Sequence, residues 1–373
     1  MTAVRPLGLY IHIPFCKSKC AYCDFYSLAR SEEQMDAYCA ALERDLARHA
    51  DAAKAHTVDT VYFGGGTPSY LGAERLASLL QTVFSHYRVA PDAEITFEAN
   101  PDSARDIAAL RTLRAAGFNR VSLGAQSFDD GELQEIGRVH TATEIVRSVD
   151  AARAAGFDNL SLDLIYGLPR QTMARWRENL AAALALAPEH LSCYGLKVEE
   201  GTPLYLRAER AQLPDDDAQA DFYLETVALL AQRGYAQYEI SNFAREGFAS
   251  RHNLKYWTLG EYLGFGPGAH SDFGGRRFAA ARDLSAYLAG KNILSEDTAI
   301  THRERQREYF LLGLRTVRGI CAAETDADFA AAEAVLRECA VHGLAEGSGG
   351  RWRLTPQGFL VSNAVIARVL DAI

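Results

Sequence analysis

The sequence predicts an α/β protein: a partial parallel (β/α)6 barrel followed by a smaller C-terminal helical, winged-helix-like domain. Three observations carry this. Short β-branched and aromatic runs alternate with helical patterns six times, and such alternation demands a parallel sheet with right-handed crossovers. Residues 115–123, AAGFNRVSL, are echoed by 154–162, AAGFDNLSL, and more faintly by Arg233-Gly234-Tyr235; a repeated βα unit suggests a full or partial barrel. Polar residues and glycines gather at or just after the strand ends, where barrels carry their sites.

The first strand, 9–13 (LYIHI), runs into a loop with Cys16, Cys20 and Cys23. A helix follows to about residue 49, with Ser31 as N-cap and acidic residues in its first turn. Strand 60–63 (TVYF) ends in Gly64-Gly65-Gly66-Thr67-Pro68 and leads to a helix over about 72–87. Strand 94–99 (EITFEA) and a helix over about 103–116 come next, then strand 120–125 (RVSLGA) and a helix over about 141–155. Strand 160–165 (LSLDLI), a helix over about 172–186 and strand 191–196 (LSCYGL) complete the set. Gly117 and Gly156 suit the left-handed conformation just past a helix end.

Beyond about residue 200 the pattern changes. A helix capped by the Pro214–Asp217 segment runs to Gln232, strand 237–241 follows, and residues 250–275 read as a polar, aromatic loop with His252 and six glycines, built to cover something. From His302 two helical stretches, a short strand (RWRLT) and a helix from Pro356 form a compact module. The expected domains are a core over 1–235, a strand and covering segment over 236–298, and a C-terminal domain over 299–373.

The chain has 373 residues, 48% hydrophobic and 23% charged, ordinary for a globular protein. No segment approaches the roughly 20 apolar residues of a membrane span, and the N-terminal residues run into the first strand without the regions of a signal peptide. The expected location is therefore cytoplasmic. Cys39, Cys193, Cys321 and Cys339 are scattered, as free thiols in a reducing compartment are. A net charge of −9 argues against a broad nucleic-acid footprint, including one on the winged-helix-like domain.

The spacing C-x3-C-x2-C puts three thiolates on one short loop. Zinc, with Cys39 or His12 as fourth ligand, is one reading, although structural zinc sites usually come as two separated pairs. An iron–sulfur cluster takes thiolates from such loops, and three cysteines leave a fourth iron open.

The motifs IPFCKSKCAYC, GGGTP, FEANP, GAQS and DLIYGLP, in this order and at βα spacing, resemble the radical S-adenosylmethionine (SAM) superfamily. More narrowly they are similar to the oxygen-independent coproporphyrinogen III oxidase group, and HNLKYW at 252–257 resembles its HemW heme-chaperone branch. The resemblance implies that Cys16, Cys20 and Cys23 ligate a 4Fe–4S cluster whose open iron takes the amino and carboxylate groups of SAM. It implies first-SAM contacts from Tyr10, Gly65, Gly66, Thr67 and Glu98, and second-SAM contacts from Tyr22, Gln126, Arg138 and Asp163. The glycines would let the backbone approach the methionine moiety. His252 would be a proximal-type ligand of heme iron.

Two departures separate the branches. The oxidase has a fourth cysteine where this chain has Phe25, and it carries a longer segment before its cysteines than the fifteen residues here. The resemblance thus implies a heme chaperone able to cleave SAM, supplied by a one-electron donor, that passes heme to acceptor hemoproteins at the membrane surface, with a homodimer open. Coproporphyrinogen decarboxylation is the first alternative; a radical SAM RNA modifier and a silent barrel are others.

Overall fold

The computed structural model describes residues 5–28 and 31–373. Its first part is a series of βα units. β1 (Arg5–Ile13) leads to α1 (Glu32–His49), β2 (His56–Gly65) to α2 (Ala73–His86), and β3 (Val89–Ala99) to α3 (Ile107–Ala116). β4 (Arg120–Gln126) is followed by a short α4 (Asp130–Glu135) and by α5 (Ala142–Ala154). β5 (Leu160–Tyr166) precedes α6 (Met173–Ala185), and β6 (His190–Gly195) precedes α7 (Asp216–Gln232). The helix starts have local causes: Ser31 and Thr141 form capping boxes with Gln34 and Glu144, while Asp106, Thr172 and Asp215 accept from the first-turn amides of α3, α6 and α7.

Strands β1 to β6 pair in sequence order, every pair parallel. Period-two alternation sends Leu9, Ile11, Val61, Phe63, Ile95, Phe97, Val121, Leu123, Leu162 and Leu164 outward into one core with the helices. The inward face is polar, with His12, Thr60, Thr96, Glu94, Ser122, Ser161, His190 and Ser192 buried. Polar side chains therefore line the lumen of the partial barrel.

The segment after α7 differs from its expected form. Strand 237–241 is broken into a hairpin, β7 (Ala236–Glu239) and β8 (Asn242–Ala244), that adds antiparallel to β6. The expected covering loop holds α8 (Arg251–Trp257), β9 (Tyr262–Phe265) and β10 (His270–Phe273), followed by β11 (Arg276–Ala280), α9 (Leu284–Leu288) and β12 (Leu294–Ala299). β9 pairs parallel with β1, and β10 to β12 continue the sheet antiparallel, giving the order β12-β11-β10-β9-β1-β2-β3-β4-β5-β6-β8-β7. Much of 236–298 is thus sheet rather than cover.

The C-terminal module comprises α10 (His302–Gly313), β13 (Ile320–Cys321), α11 (Phe329–Val341), β14 (Ala345–Ser348), β15 (Arg351–Leu354), α12 (Pro356–Leu360) and α13 (Ser362–Ala372). Its wing is the β14–β15 hairpin, with β13 on the far side of β15. Phe310, Leu336, Trp352, Phe359 and Ile366 build a separate core, which Tyr223 of α7 joins. Among the described residues no helix is long and apolar enough to cross a membrane.

The glycines of the sequence echo differ in cost. Gly117 and Gly156 both have positive φ, +118° and +93°, but a Cβ at Gly117 would stand 3.1 Å from the Phe84 ring whereas at Gly156 the nearest atom lies at 3.9 Å. Gly117→Val is expected to destabilise the fold by about 2–4 kcal/mol and Gly156→Val by about 1–3 kcal/mol, the first adding a clash to the strain. Thermal melting of the two variants checks the order.

Candidate cofactor-binding site

β1 delivers the cysteine loop to the carboxyl end of the sheet. The loop is closed at its base, where the Cys16 amide donates to Leu28 O at 3.2 Å and the Leu28 amide to Pro14 O at 2.7 Å. Midway it is tied to two other segments: the Ala21 amide donates to Ile136 O at 2.9 Å, and Ala21 O accepts from the Leu204 amide at 2.8 Å. Its position is therefore set by the rest of the mouth as well as by its own sequence.

The glycine run after β2 packs against this loop. The Gly66 amide donates to Ile13 O at 2.8 Å and the Thr67 amide to Phe15 O at 2.7 Å. A Cβ at Gly66 would stand 2.7 Å from Phe15 O, and one at Gly65, where φ is +112°, would stand 2.4 Å from the His12 ring. The protein's own packing thus already requires glycine at both positions, a constraint separate from the approach of a ligand.

One cavity of about 470 Å³ lies at this mouth. It is lined by Cys16, Cys20 and Cys23, and by Tyr22, Gly65, Gly66, Thr67, Glu98, Gln126, Arg138 and Asp163. Among the described residues no three His, Cys, Asp or Glu side chains are grouped to hold a single metal ion, so the thiols share a cavity without converging on one point. Burial pushes the Cys16 and Cys23 thiols up from their ordinary value.

Glu98 ends the inward row of β3. Its Oε1 accepts from the Tyr62 hydroxyl at 2.7 Å and its Oε2 from the Gly65 amide at 3.0 Å. Burial raises its pKa to about 7 against the pull of these donors. Burial also raises Asp163, to which Ser122 donates at 3.2 Å. Between these strands Arg120 is 1% exposed, and its Nε has no partner. Its charge partly offsets the burial-driven rise in both carboxyls, with Arg138 also acting on Asp163. Gln126 closes β4 with φ of +66°, a left-handed position uncommon for a residue with a side chain. Arg138 donates to Cys20 Sγ, Asn100 Oδ1 and Gly124 O, while its buried Nε is unpartnered.

Two expected residues lie elsewhere. Tyr10 sits within the lumen with its hydroxyl 3.1 Å from His12 Nδ1, not among the residues lining the cavity. His252 is 1% exposed on α8, with Nδ1 2.9 Å from Thr60 Oγ1 and Nε2 2.8 Å from Tyr256 OH. Its ring stacks on Tyr62 at 5.1 Å, and burial lowers its pKa to about 3. Both ring nitrogens are engaged, so in this structure His252 does not offer the open imidazole expected of a heme ligand. α8 instead plugs the other end of the lumen: Glu94 accepts from the Arg251 and His252 amides, and Lys255 pairs with Asp59 at 2.8 Å.

Sequence reading missed Tyr62, Asn100 and Arg120. Each lies on or just after a strand already assigned, and the inward parity of Tyr62 and Glu98 on their strands was the available signal.

The fold is that of a radical SAM protein with an added C-terminal module. The Radical SAM superfamily model matches residues 10–183 and the HemN C-terminal domain model residues 300–361. The structure resembles that of the radical SAM enzyme coproporphyrinogen III oxidase (HemN) from Escherichia coli, with TM-score 0.85, 27% identity and coverage of 99% of this chain and 91% of that one. Curated relatives include heme chaperone HemW of Mycobacterium tuberculosis, 39% identical over 98% of this chain and 95% of its own length. That of Bacillus subtilis is 37% identical over 97% and 98%, and that of Escherichia coli 36% identical over 98% and 98%. The chain belongs to the HemW branch of the radical SAM superfamily, whose members use a 4Fe–4S cluster and SAM.

Proposed function

We propose that this protein is a radical SAM heme chaperone, in which Cys16, Cys20 and Cys23 hold a 4Fe–4S cluster and the same cavity holds SAM, and which binds heme and passes it to acceptor hemoproteins. The observation that carries the cofactor reading is the single cavity containing all three thiols and every expected SAM contact except Tyr10. The groups present fit: soft thiolates suit iron, Glu98 can accept from SAM hydroxyls or ammonium, and the Arg138 side chain in the cavity wall supplies a positive charge for a carboxylate. When bound, the cluster supplies the electron that cleaves the SAM sulfonium bond. The protein's residues orient SAM and limit its exposure to water.

Heme, as a planar apolar ligand, finds exposed aromatic faces at this mouth in Phe25 and Tyr194, which line the cavity and are 62% and 42% exposed. Release to an acceptor is simpler from such a surface than from the buried lumen. Anaerobic reconstitution followed by absorbance and EPR, with and without SAM and heme, tests the proposal. It fails if no cluster forms or if heme gives no saturable Soret change.

A second reading, oxygen-independent coproporphyrinogen III oxidation, is favoured by the fold match to that enzyme. Product analysis with coproporphyrinogen, SAM and reductant separates the two. Decarboxylated porphyrinogen would establish the oxidase.

Glu98 links stability to pH. Its pKa is raised in the fold from 4.5 to about 7, so its contribution is unperturbed below about 4.5 and becomes unfavourable as pH rises through 7. Glu98→Gln is expected to raise the melting temperature of the cofactor-free protein at pH 8 and change it little at pH 4.5. SAM affinity of the reconstituted variant is expected to fall roughly tenfold to a hundredfold, the worth of a hydrogen bond to a charged group. Parental SAM affinity is expected to strengthen as pH rises through 7; calorimetry at several pH values checks both.

A further inference from the structure

We propose that Asn100 is a positioning residue that fixes the hydrogen bonds reaching two of the three cluster thiolates, and through them the cluster's reduction potential. The inference rests on the reading that Cys16, Cys20 and Cys23 hold the cluster.

A ring of contacts runs across four loops. Cys16 Sγ lies 3.4 Å from Thr67 Oγ1, Asn100 Nδ2 donates to Thr67 Oγ1 at 2.9 Å, Arg138 Nη2 donates to Asn100 Oδ1 at 2.7 Å, and Arg138 Nη1 donates to Cys20 Sγ at 3.3 Å. The donor and acceptor roles around the ring are forced. A guanidinium can only donate, so the Asn100 oxygen must face Arg138 and its amide nitrogen must face Thr67. The Thr67 oxygen then accepts from Asn100, and a cluster-bound Cys16 thiolate, which can only accept, takes the Thr67 proton. One amide therefore orients both the neutral donor at Cys16 and the charged donor at Cys20.

The surroundings make room for this arrangement. Arg138 Nη2 also donates to Gly124 O at 2.7 Å. A Cβ at Gly124 would stand 3.1 Å from Asn100 Oδ1 and 3.3 Å from Arg138 Nη2, tighter than ordinary contact on both partners. Glycine there admits the pair. The Ser103 hydroxyl donates to Asn100 O at 3.0 Å, holding the Asn100 backbone at the turn after β3.

Hydrogen bonds to the sulfurs of a cluster stabilise its reduced, more negative state and raise its potential. An alanine at 100 removes one of the two acceptors of Arg138 Nη2, leaving Gly124 O, and the donor that orients Thr67. The donors to the sulfurs of Cys16 and Cys20 then lose order together.

The test is an EPR-monitored redox titration of reconstituted protein, without SAM, using dithionite and mediators, after iron and sulfide analysis. Asn100→Ala is expected to shift the potential to more negative values at full iron content. Thr67→Val, which removes the Cys16 donor alone, is expected to give a smaller shift in the same direction. The double variant should match Asn100→Ala, because the threonine proton is already undirected there. An unchanged potential in Asn100→Ala overturns the proposal, and so does a double variant in which the two shifts add in full. If Asn100→Ala takes up no iron, Thr67→Val decides alone, and an unchanged potential there overturns it. Failure of the parent protein to take up iron would instead overturn the cluster reading beneath it.

Discussion

Cys20→Ala is expected to abolish incorporation of the 4Fe–4S cluster while leaving the cofactor-free protein folded. Cys20 is partly exposed, and its thiol accepts from Arg138, so truncation should cost within about 1 kcal/mol of stability. With two thiolates a cuboidal cluster loses one of its three anchors, and the expected result is loss of iron, sulfide and the associated absorbance after anaerobic reconstitution. Cys39→Ala is the matched control: it removes a half-buried thiol on α1, outside the cavity. It should load iron as the parent does. Equal iron content in both variants would show that the cysteine loop is not the ligand set.

His252→Ala is expected to lower stability by about 3 kcal/mol, the combined effect of a cavity in the packed lumen and of polar partners left unmatched. The substitution strands the Thr60 and Tyr256 hydroxyls and removes the ring on which Tyr62 stacks. A lower melting temperature checks this. The same preparation should be titrated with heme, because parental melting with an altered Soret band would make the imidazole an iron ligand instead. The structural expectation follows from the ring's two occupied nitrogens.

The six βα units were legible because their signals are local. Leu9, Ile11 and Ile13 alternate with inward residues on β1, and Ser31, Thr141 and Asp215 supply caps within one turn of the helices they start. β3 begins at Val89 rather than 94. β9 carries little strand signal of its own: YLGF is four residues long, contains Gly264 and runs into Gly266, and only its parallel pairing with β1, more than 250 residues away in sequence, makes it a strand. β12 is exposed throughout and carries no buried alternation to recognise. α8 is seven residues long, too short to be stable alone; the Glu94 carboxylate that anchors its first turn comes from β3.

The site divides in the same way. The sequence by itself determined the three thiols, the glycine turn and the strand-end polar residues, because a βα repeat with strands of period two sends such residues to one mouth. Phe25, two positions after the third cysteine, is exposed at that mouth in the structure. Only the tertiary structure decided that Tyr10 and His252 stand in the lumen and that Asn100 joins Thr67 to Arg138. The Thr67–Asn100, Asn100–Arg138 and Thr60–His252 contacts join residues 33 to 192 positions apart. Their geometry follows from sheet register and loop packing, which local patterns do not encode.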